Sequence, residues 1–309
     1  TGYGSGYRFG YYDSDLDFVE LGRTSSSVTK LTMVKVQNIW VSGTSYSTSD
    51  NGGELIGCYH VQMPGSYNSY NAAYSKASDY SDGFVAWIDG EYQVRVGAYE
   101  TKAEAESRAS SLGGTVVGTS SYAVNVTQTG KAKILFQFDG GSSTALGIMP
   151  DVTGAGETRT WFKGYRYPGG FRYERVNGGN LTVVNIVDVE DYLIGVVPYE
   201  MSDSWPLEAL KAQAVCARTY ACRTTKHLST YGFDVCNTTD CQVYTGASAQ
   251  STATDSAVNA TRGQCLYYNG TLVEAVYHSS DGGATEDAAN VWGSDVGYLK
   301  GKKDPYEAV

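Results

Sequence analysis

A single carboxyl residue, Glu200, stands where the sequence could support general acid catalysis. It follows the apolar segment 192–198 and precedes a helix-forming segment that begins near Trp205. Burial beside apolar residues would favour the protonated carboxyl that a general acid needs, whereas the N-terminus of the following helix would favour the anion. The residues alone leave this choice open, and a solvated carboxylate before the helix is the plainer interpretation.

Two cysteines, Cys236 and Cys241, form the second candidate group. Four residues separate them, and this spacing fits half of a tetrahedral zinc site, a tight disulfide turn or two unlinked thiols. The chain has six cysteines, too few for a disulfide scaffold at this length. Cys216 and Cys222 lie on a predicted helix and point to different faces, so they are not expected to bond each other.

The element that must position Glu200 is the helix predicted over residues 204–221, the strongest helical pattern in the chain. Apolar or small residues recur at helical spacing along one face, namely Leu207, Leu210, Ala214, Ala217 and Ala221. Pro206 suits the first turn, where its missing N–H has no partner within the helix. The small side chains would let another element approach this face closely.

The composition narrows the range of partners. Among 309 residues, Lys and Arg number 23 and Asp and Glu 33, a net charge of −10 that argues against a nucleic-acid partner. Only 18% of residues are charged, but 26 are tyrosines, which combine an apolar ring with a polar hydroxyl. This composition suits stacking on a neutral polar ligand such as a sugar, or a secreted β-rich domain without that role. No apolar run approaches the roughly 18 residues of a membrane span.

An internal repeat predicts another module before the helix, within residues 55–127. Each copy reads as a strand, a turn and a helix followed by a further strand, which gives a βαββαβ order. Strands are expected at 59–65, 83–88, 92–98 and 115–126, and helices at 71–77 and 103–109. Residues 1–54 are rich in Gly, Ser, Thr and Tyr and contain one clear strand pattern, at 31–41.

The second copy of this repeat resembles the SPOR domain. The resemblance rests on the strand 92–99, the helix that begins at 102–106 and the Leu-Gly-Gly exit at 112–114. It implies binding of peptidoglycan glycan strands that lack stem peptides, on the exposed face of the sheet. The same βαββαβ order also fits ferredoxin-like modules of unrelated function.

The region 160–306 resembles the SpoIID/LytB family, that of stage II sporulation protein D. The segments that carry the resemblance, in the family's order, are 192–201, 205–215, 218–221, 236–244, 261–263, 278–286 and 291–293. The resemblance implies a lytic transglycosylase that cleaves denuded glycan strands between N-acetylmuramic acid and N-acetylglucosamine. The catalytic glutamate of the family's Glu-Met motif corresponds to Glu200.

Several further residues are substrate-binding candidates under this resemblance. They are Arg218, Tyr220, Tyr244, His278, Ser279 and Ser280. Arg218 could orient a saccharide oxygen or pair with a carboxylate, and His278 could carry a second proton or be a hydrogen-bonded structural histidine. The glycines after Ser280 would permit a close approach of the backbone to a sugar.

The resemblance also bears on the cysteine pair. Some family members carry a Cys/His zinc site in this loop, usually with a histidine directly before the second cysteine, where this chain has Asp240. We therefore rank a disulfide or free thiols at Cys236 and Cys241 above a structural zinc ion, and we expect no required cofactor.

These observations combine into one interpretation of an α+β chain. Residues 1–54 form an N-terminal region with a strand, 55–127 a SPOR-like βαββαβ module, and 130–309 a mixed α+β SpoIID-type catalytic domain that we expect to be truncated at its C-terminus. We predict a lytic transglycosylase with Glu200 as general acid and base. The alternatives are a non-enzymatic enhancer of a cell-wall amidase and a cell-wall-binding surface protein. The expected location is extracellular or cell-wall associated, with peptidoglycan strands and possible amidases as partners and no transmembrane segment.

Overall fold

The computed structural model describes residues 6–152 and 159–307, so the ends of the predicted first and last regions lie outside the described residues. The chain divides into two compact units, Thr1–Val187 and Asp188–Val309. Strands dominate the first unit and helices the second, which confirms the predicted α+β class. Among the described helices, none is both long and apolar enough to cross a membrane.

The described part of the first unit contains seventeen strands, two helices and one short 3-10 turn. The strands are β1 (Tyr7–Tyr12), β2 (Phe18–Arg23), β3 (Leu31–Lys35), β4 (Ile39–Ser42), β5 (Ser45–Ser47), β6 (Glu54–Ile56), β7 (Tyr59–Gln62), β8 (Gly83–Ile88), β9 (Glu91–Tyr99), β10 (Thr115–Val117), β11 (Val124–Gln128), β12 (Ile134–Asp139), β13 (Leu146–Pro150), β14 (Arg159–Phe162), β15 (Tyr165–Pro168), β16 (Gly170–Glu174) and β17 (Thr182–Ile186). The helices are α1 (Tyr70–Ala77) and α2 (Lys102–Leu112), and the 3-10 turn spans Val176–Gly178.

Helices are the main regular elements in the described part of the second unit. Its helices are α3 (Val189–Glu200), α4 (Leu207–Arg223), α5 (Leu228–Tyr231), α6 (Thr252–Ala260) and α7 (Ala288–Trp292). A two-stranded hairpin, β18 (Tyr267–Tyr268) and β19 (Thr271–Leu272), follows α6.

The predicted βαββαβ order is present, as β7, α1, β8, β9, α2 and β10. These strands belong to a seven-stranded sheet in the order β10-β7-β9-β8-β12-β11-β3, in which only the β8–β12 pair of the described strands is parallel. Helix α2 begins with a capping box, because Thr101 accepts from the Glu104 N–H and the Glu104 carboxylate accepts from the Thr101 N–H. It ends at Gly113, whose φ of 71° suits glycine.

The sheet face on which the SPOR resemblance implies glycan binding is covered by other parts of the chain along β8 and β12. Val85 of β8 lies beside Phe136, whose ring is 6.2 Å from that of Tyr70 on α1, so this is the helical face. Alternation along the strand then places Phe84 and Ala86 on the opposite face. There they join a buried cluster that includes residues of β4 and β6, formed by Val34, Ile39, Val41, Ile56, Phe84, Ala86 and Ile134. The face implied by the resemblance is therefore closed along these two strands, at Phe84, Ala86 and Ile134.

A buried polar network lies inside the first unit. The His60 Nδ1 atom is 2.8 Å from the Gly97 carbonyl oxygen, and its Nε2 atom is 3.0 Å from Gln137 Nε2. Gln137 also donates to Asn125 and accepts from Arg95. Because an amide nitrogen can only donate, His60 accepts at Nε2 and donates from Nδ1, the neutral form. Burial, together with the charge of Arg95, lowers the pKa of His60 to about 4.

Two boundaries differ from those predicted. The unit boundary lies between residues 187 and 188, not at 130, because β12 pairs with β8 and β11 of the repeat. Strands β13, β16 and β17 form a five-stranded sheet with the N-terminal strands, in the order β17-β16-β13-β1-β2. The single strand expected at 31–41 is broken into β3 and β4, where the Gln37 N–H donates to the Lys35 carbonyl oxygen.

The predicted central helix is confirmed as α4, which packs against α3 and α6. Leu210, Ala214 and Ala217 are buried on its inner face, whereas Leu207 at its start is exposed. Helix α3 was not predicted, since its sequence reads as an apolar segment without a helical stripe. Its Gly195 has no room for a Cβ atom, which would collide with the Gly246 carbonyl oxygen and the Tyr244 ring. The loop at 244–246 can therefore lie directly against α3.

Candidate functional site

Glu200 is the last residue of α3, and Met201 caps the helix in an extended conformation. The predicted location before the N-terminus of a helix is therefore corrected, since α4 begins only at Leu207. The stabilising effect that a helix N-terminus has on an anion is therefore not available to Glu200 at this position. Glu200 is half-buried, and none of the ion pairs found among the described residues includes it.

The hydroxyl of Tyr277 is the polar neighbour of Glu200. It interacts with the Glu200 carboxyl and accepts a hydrogen bond of 3.2 Å from Gln242 Nε2. Because the amide nitrogen can only donate, the Tyr277 proton is available to Glu200. Tyr277 is therefore the group placed to donate toward the Glu200 carboxyl.

Gln242, which donates to the Tyr277 hydroxyl, is 1% exposed. Its Nε2 atom also donates to the Ala217 carbonyl oxygen at 3.3 Å, and its Oε1 atom accepts from the Tyr192 hydroxyl at 3.0 Å. We call Tyr192, Gln242 and Tyr277 the tyrosine–glutamine network. It connects α3, α4 and the chain after β19 to the side chain of Glu200.

Burial raises the pKa of both tyrosines of this network. Burial is the largest cause of the raised pKa of Tyr277. The hydrogen bond from Gln242 lowers this pKa in part, and the nearby Glu200 carboxyl raises it further. For Tyr192, the neighbouring Tyr244 hydroxyl adds to the effect of burial. Both phenols therefore stay protonated at neutral pH, and Tyr277 remains a hydrogen-bond donor.

Tyr244, predicted to bind substrate, is instead part of the packing under this site. It is buried, and its ring centroid lies 4.7 Å from that of Tyr192. Next to it, Thr245 Oγ1 lies 2.5 Å from the hydroxyl of Tyr199, the residue that precedes Glu200. Tyr199 itself is exposed, so it is the tyrosine on this side that a ligand can reach.

Arg218 is the second corrected substrate residue. It is 1% exposed, and its Nε and Nη2 atoms bond to the two oxygens of Glu190 at 3.0 and 2.6 Å. The Gly263 N–H donates to the same carboxylate at 2.9 Å. Although burial alone would raise it, the bonds from Arg218 and Gly263 hold the pKa of Glu190 below its ordinary value. Of the two roles considered for Arg218, the structure therefore has the pairing with a carboxylate.

Cys236 and Cys241 are free thiols in a cluster with two other residues. One potential ligand atom from each of His227, Cys236, Asp240 and Cys241 lies within 4.8 Å of all the others. His227 Nε2 is 3.3 Å from both the Cys241 sulfur and an oxygen of Asp240. Although burial alone would raise it, hydrogen bonds from Thr238, Cys241 and His227 lower the pKa of Cys236 to about 7.

These four residues fit a tetrahedral zinc ion. Thiolate sulfur, imidazole nitrogen and carboxylate oxygen are each zinc ligands, and such ligands lie a little under 4 Å apart around the metal. The histidine that is missing at position 240 is thus replaced, among the possible ligands, by His227, nine residues before Cys236. Tyr220, a half-buried substrate candidate, has its hydroxyl against Cys241 and so borders this cluster.

The remaining predicted residues, His278, Ser279 and Ser280, follow Tyr277 directly and are exposed. The hydroxyl of Ser280 donates to the Glu307 carboxylate, which also accepts from the Asp281 N–H at 2.8 Å. This segment is accessible to a ligand, but its contacts among the described residues hold its own backbone in place.

Sequence reasoning missed Tyr277, Gln242, His227 and Glu190. A signal existed for Tyr277, because Val273 and Ala275 are buried at alternate positions that lead to it. A signal also existed for Gln242, which directly follows the second cysteine of the loop. His227 lies only nine residues before Cys236 and could have been counted as a candidate ligand. Nothing in the spacing connects Glu190 with Arg218, because tertiary folding alone brings these two helices together.

Residues 177–268 match the family model described as SpoIID, Stage II sporulation protein. The matched segment includes Glu200, Gln242 and the Cys/His cluster but ends before Tyr277.

Curated relatives agree with this match. The chain is similar to the amidase enhancer of Bacillus subtilis, at 52% identity over 36% of this chain and 15% of that protein. It is also similar to stage II sporulation protein D of the same organism, at 36% identity over 41% of each chain. An uncharacterised protein of Brachyspira hyodysenteriae is 42% identical over 47% of this chain and 40% of its own length. The chain thus spans less than half the length of these relatives.

Proposed function

We propose that this chain, a member of the SpoIID/LytB family through its residues 177–268, is a lytic transglycosylase acting on denuded peptidoglycan glycan strands. The proposed bond lies between N-acetylmuramic acid and N-acetylglucosamine, and the product carries a 1,6-anhydro ring. Such a substrate implies a protein that works outside the cytoplasm, at the cell wall.

The observation that carries this proposal is the environment of Glu200. Glu200 is half-buried, is in none of the ion pairs found among the described residues, and has a neutral donor, Tyr277, as its polar neighbour. A structural carboxylate of this unit looks different, since Glu190 is buried and doubly bonded to Arg218. A carboxyl that must gain and lose a proton in each cycle needs access and a neutral partner instead of a fixed cation.

The proposed chemistry needs one carboxyl group. Protonated Glu200 gives its proton to the glycosidic oxygen as that oxygen leaves C1 of N-acetylmuramic acid. The carboxylate then accepts the proton of the 6-hydroxyl of the same sugar while O6 bonds to C1 and closes the anhydro ring. No water is consumed, so the second carboxyl of a glycoside hydrolase is unnecessary, and intramolecular attack supplies the nucleophile.

The chain's own residues support each stage of this cycle. The Tyr277 hydroxyl stabilises the Glu200 carboxylate that exists between the two proton transfers, and Gln242 keeps that hydroxyl in place. Exposed aromatic residues next to Glu200 in the chain, Tyr199 and Trp205, offer ring surfaces on which a neutral sugar can stack.

We further propose that His227, Cys236, Asp240 and Cys241 hold a zinc ion with a structural role. Such an ion fixes the loop from which Gln242 continues directly after Cys241. It would thereby stabilise the tyrosine–glutamine network without touching the sugar.

A non-enzymatic role is the second candidate, and the name of one relative supports it, since the protein from Bacillus subtilis that is 52% identical is an amidase enhancer. Under this hypothesis the unit binds glycan or an amidase and leaves the glycan bond intact. The two hypotheses differ in whether anhydro products form.

The deciding experiment incubates the purified chain with amidase-treated sacculi and measures anhydro products by mass spectrometry. We expect release by the wild type and by the control Glu208→Gln, an exposed carboxylate paired with Lys211, and none by Glu200→Gln. Equal release by Glu200→Gln and wild type would exclude Glu200 as the acid. An absence of products from all three proteins, with a faster amidase when they are added, would favour the enhancer.

A further inference from the structure

Two cysteines outside the cluster of His227, Cys236, Asp240 and Cys241 are brought together by the fold. They are Cys222 and Cys265. The segment 264–266 lies along α4 and is bonded to it on both sides of Cys265. Arg218 donates to the Gln264 carbonyl oxygen at 3.2 Å, and the Leu266 N–H donates to Thr219 Oγ1 at 2.9 Å. Cys222 follows Arg218 by four positions, one helical turn, and so lies on the same side of α4.

The two thiols are in contact. The Cys265 sulfur is a hydrogen-bonding neighbour of Cys222, and after burial this contact contributes to raising the pKa of Cys222. Cys222 is an exposed residue and Cys265 is half-buried, so small reagents can reach the pair. Neither Cys58 nor Cys216 has another thiol among the groups that act on it within the described residues.

We propose that Cys222 and Cys265 are an oxidative cross-linking site that closes to a disulfide in the folded chain. The co-reactant is a low-molecular-weight disulfide. One thiolate of the pair attacks it and releases one reduced thiol, and the second cysteine then displaces the other. The pair loses two electrons and two protons, and the oxidant becomes two thiols, so the exchange balances.

The cross-link would fasten the segment 264–266 to the C-terminal end of α4. That segment follows Gly263, whose N–H bonds to Glu190, and its Gln264 carbonyl accepts from Arg218. The disulfide would therefore hold in place the segment that supplies these two bonds to the buried ion pair. It would also enclose more than forty residues of chain, a loop length for which cross-links strongly restrict the unfolded state.

This inference does not depend on the proposed activity, and its test uses other readouts. The full chain is treated with oxidised glutathione, digested without reduction and analysed by mass spectrometry. We expect a peptide pair joined through Cys222 and Cys265, and a Tm about 5 °C above that of the reduced protein. Cys222→Ser and Cys265→Ser should each lose this increase, whereas the matched control Cys216→Ser, on the same helix, should keep it.

Two results would overturn the proposal. One is recovery of Cys222 and Cys265 as separate glutathione adducts while the protein remains folded by circular dichroism. The other is a joined pair that leaves Tm unchanged, which would place the cross-link in unfolded chains. The joined peptide is read from the wild type alone, so the outcome stands even where a serine variant folds poorly.

Discussion

The Gln242 amide nitrogen donates to the Ala217 carbonyl oxygen on α4 over 3.3 Å. A carbonyl oxygen can only accept, so this bond fixes which end of the amide points toward α4 and Tyr277. The direction of every other bond in the tyrosine–glutamine network follows. Tyr192 must donate to Gln242 Oε1, Tyr277 must accept from Nε2, and the Tyr277 proton is left for Glu200.

Replacing Tyr277 with phenylalanine should reduce the rate of anhydro-product release. The variant keeps the ring but removes the donor that stabilises the Glu200 carboxylate, and a hydrogen bond to a charged group contributes about 1.5–3 kcal/mol. We expect kcat to fall about 10- to 100-fold with KM changed less than about twofold. Steady-state kinetics on denuded strands measure both, and Tyr267→Phe on the exposed hairpin is the control. An unchanged kcat for Tyr277→Phe would remove Tyr277 from the site.

Breaking the buried ion pair should destabilise the second unit. Glu190→Gln leaves the Arg218 guanidinium buried without a counter-charge, which costs about 3–5 kcal/mol. Urea unfolding at neutral pH measures the free energy of unfolding, and Glu208→Gln at the exposed Lys211 pair should leave it unchanged. If Arg218→Met kept full stability but lost affinity for glycan, Arg218 would be a substrate residue after all.

The same ion pair predicts a loss of stability in acid. The folded-state pKa of Glu190 lies below the ordinary value of 4.5, so the stabilisation is complete above about pH 4.5. It is lost as the pH falls through the lower, folded-state value. Urea unfolding of wild type and Glu190→Gln from pH 7 to pH 3 should therefore converge at the acid end. Parallel curves across this range would contradict the assignment.

The lowered pKa of His60 predicts a second loss of stability in acid, which begins at a higher pH than that of the Glu190 pair. Its folded pKa of about 4 lies below the ordinary 6.5, so protons bind the unfolded chain more strongly. Stability is complete above pH 6.5 and falls by about 3 kcal/mol as the pH drops toward 4. Protonation would place an N–H of His60 against the Gln137 amide, which also donates. His60→Gln should flatten the unfolding free energy between pH 6.5 and 4.5, and an equal slope in both proteins would contradict this role.

Zinc binding should require the four-residue cluster. We expect one zinc ion per purified chain by atomic emission, lost in Cys236→Ser and retained in Cys216→Ser, since Cys216 lies outside the cluster. Removing zinc with a chelator should lower Tm, because the ion binds the folded loop only. A chain that contains no zinc after refolding in excess zinc would contradict the proposed site and leave Cys236 and Cys241 as free thiols.

The sequence predicted those features that depend on local pattern. The βαββαβ order and helix α4 follow from strand alternation, helical spacing and turn residues, and the structure has both. The catalytic role of Glu200 was inferred from the family resemblance. Its position between an apolar segment and a helix was predicted, but its place at the C-terminus of α3 was not. Helix α3 was missed because its residues are apolar on nearly every side.

Features that depend on distant residues could not be predicted. The covering of the repeat sheet by β4 and β6 brings Ile39 and Phe84 into one buried cluster, which no local pattern encodes. Arg218 looked available to a substrate because Glu190 lies a whole helix earlier in the chain. His227 lies only nine residues before Cys236, and it was missed because the expected ligand pattern places the histidine directly before the second cysteine. For the sheet and for Arg218, pairing of residues distant in sequence determines the role.

The pairing of β12 with β8 has a practical consequence for dissecting this chain. A fragment that begins at residue 130 would remove β12 from the repeat sheet and leave β8 with a row of unpaired N–H and C=O groups. Both fragments would then expose unpaired strand edges, which can pair with another chain, and we expect them to aggregate. A division after residue 187 keeps every strand of the first unit with its described partners and leaves the hairpin β18–β19 whole in the second.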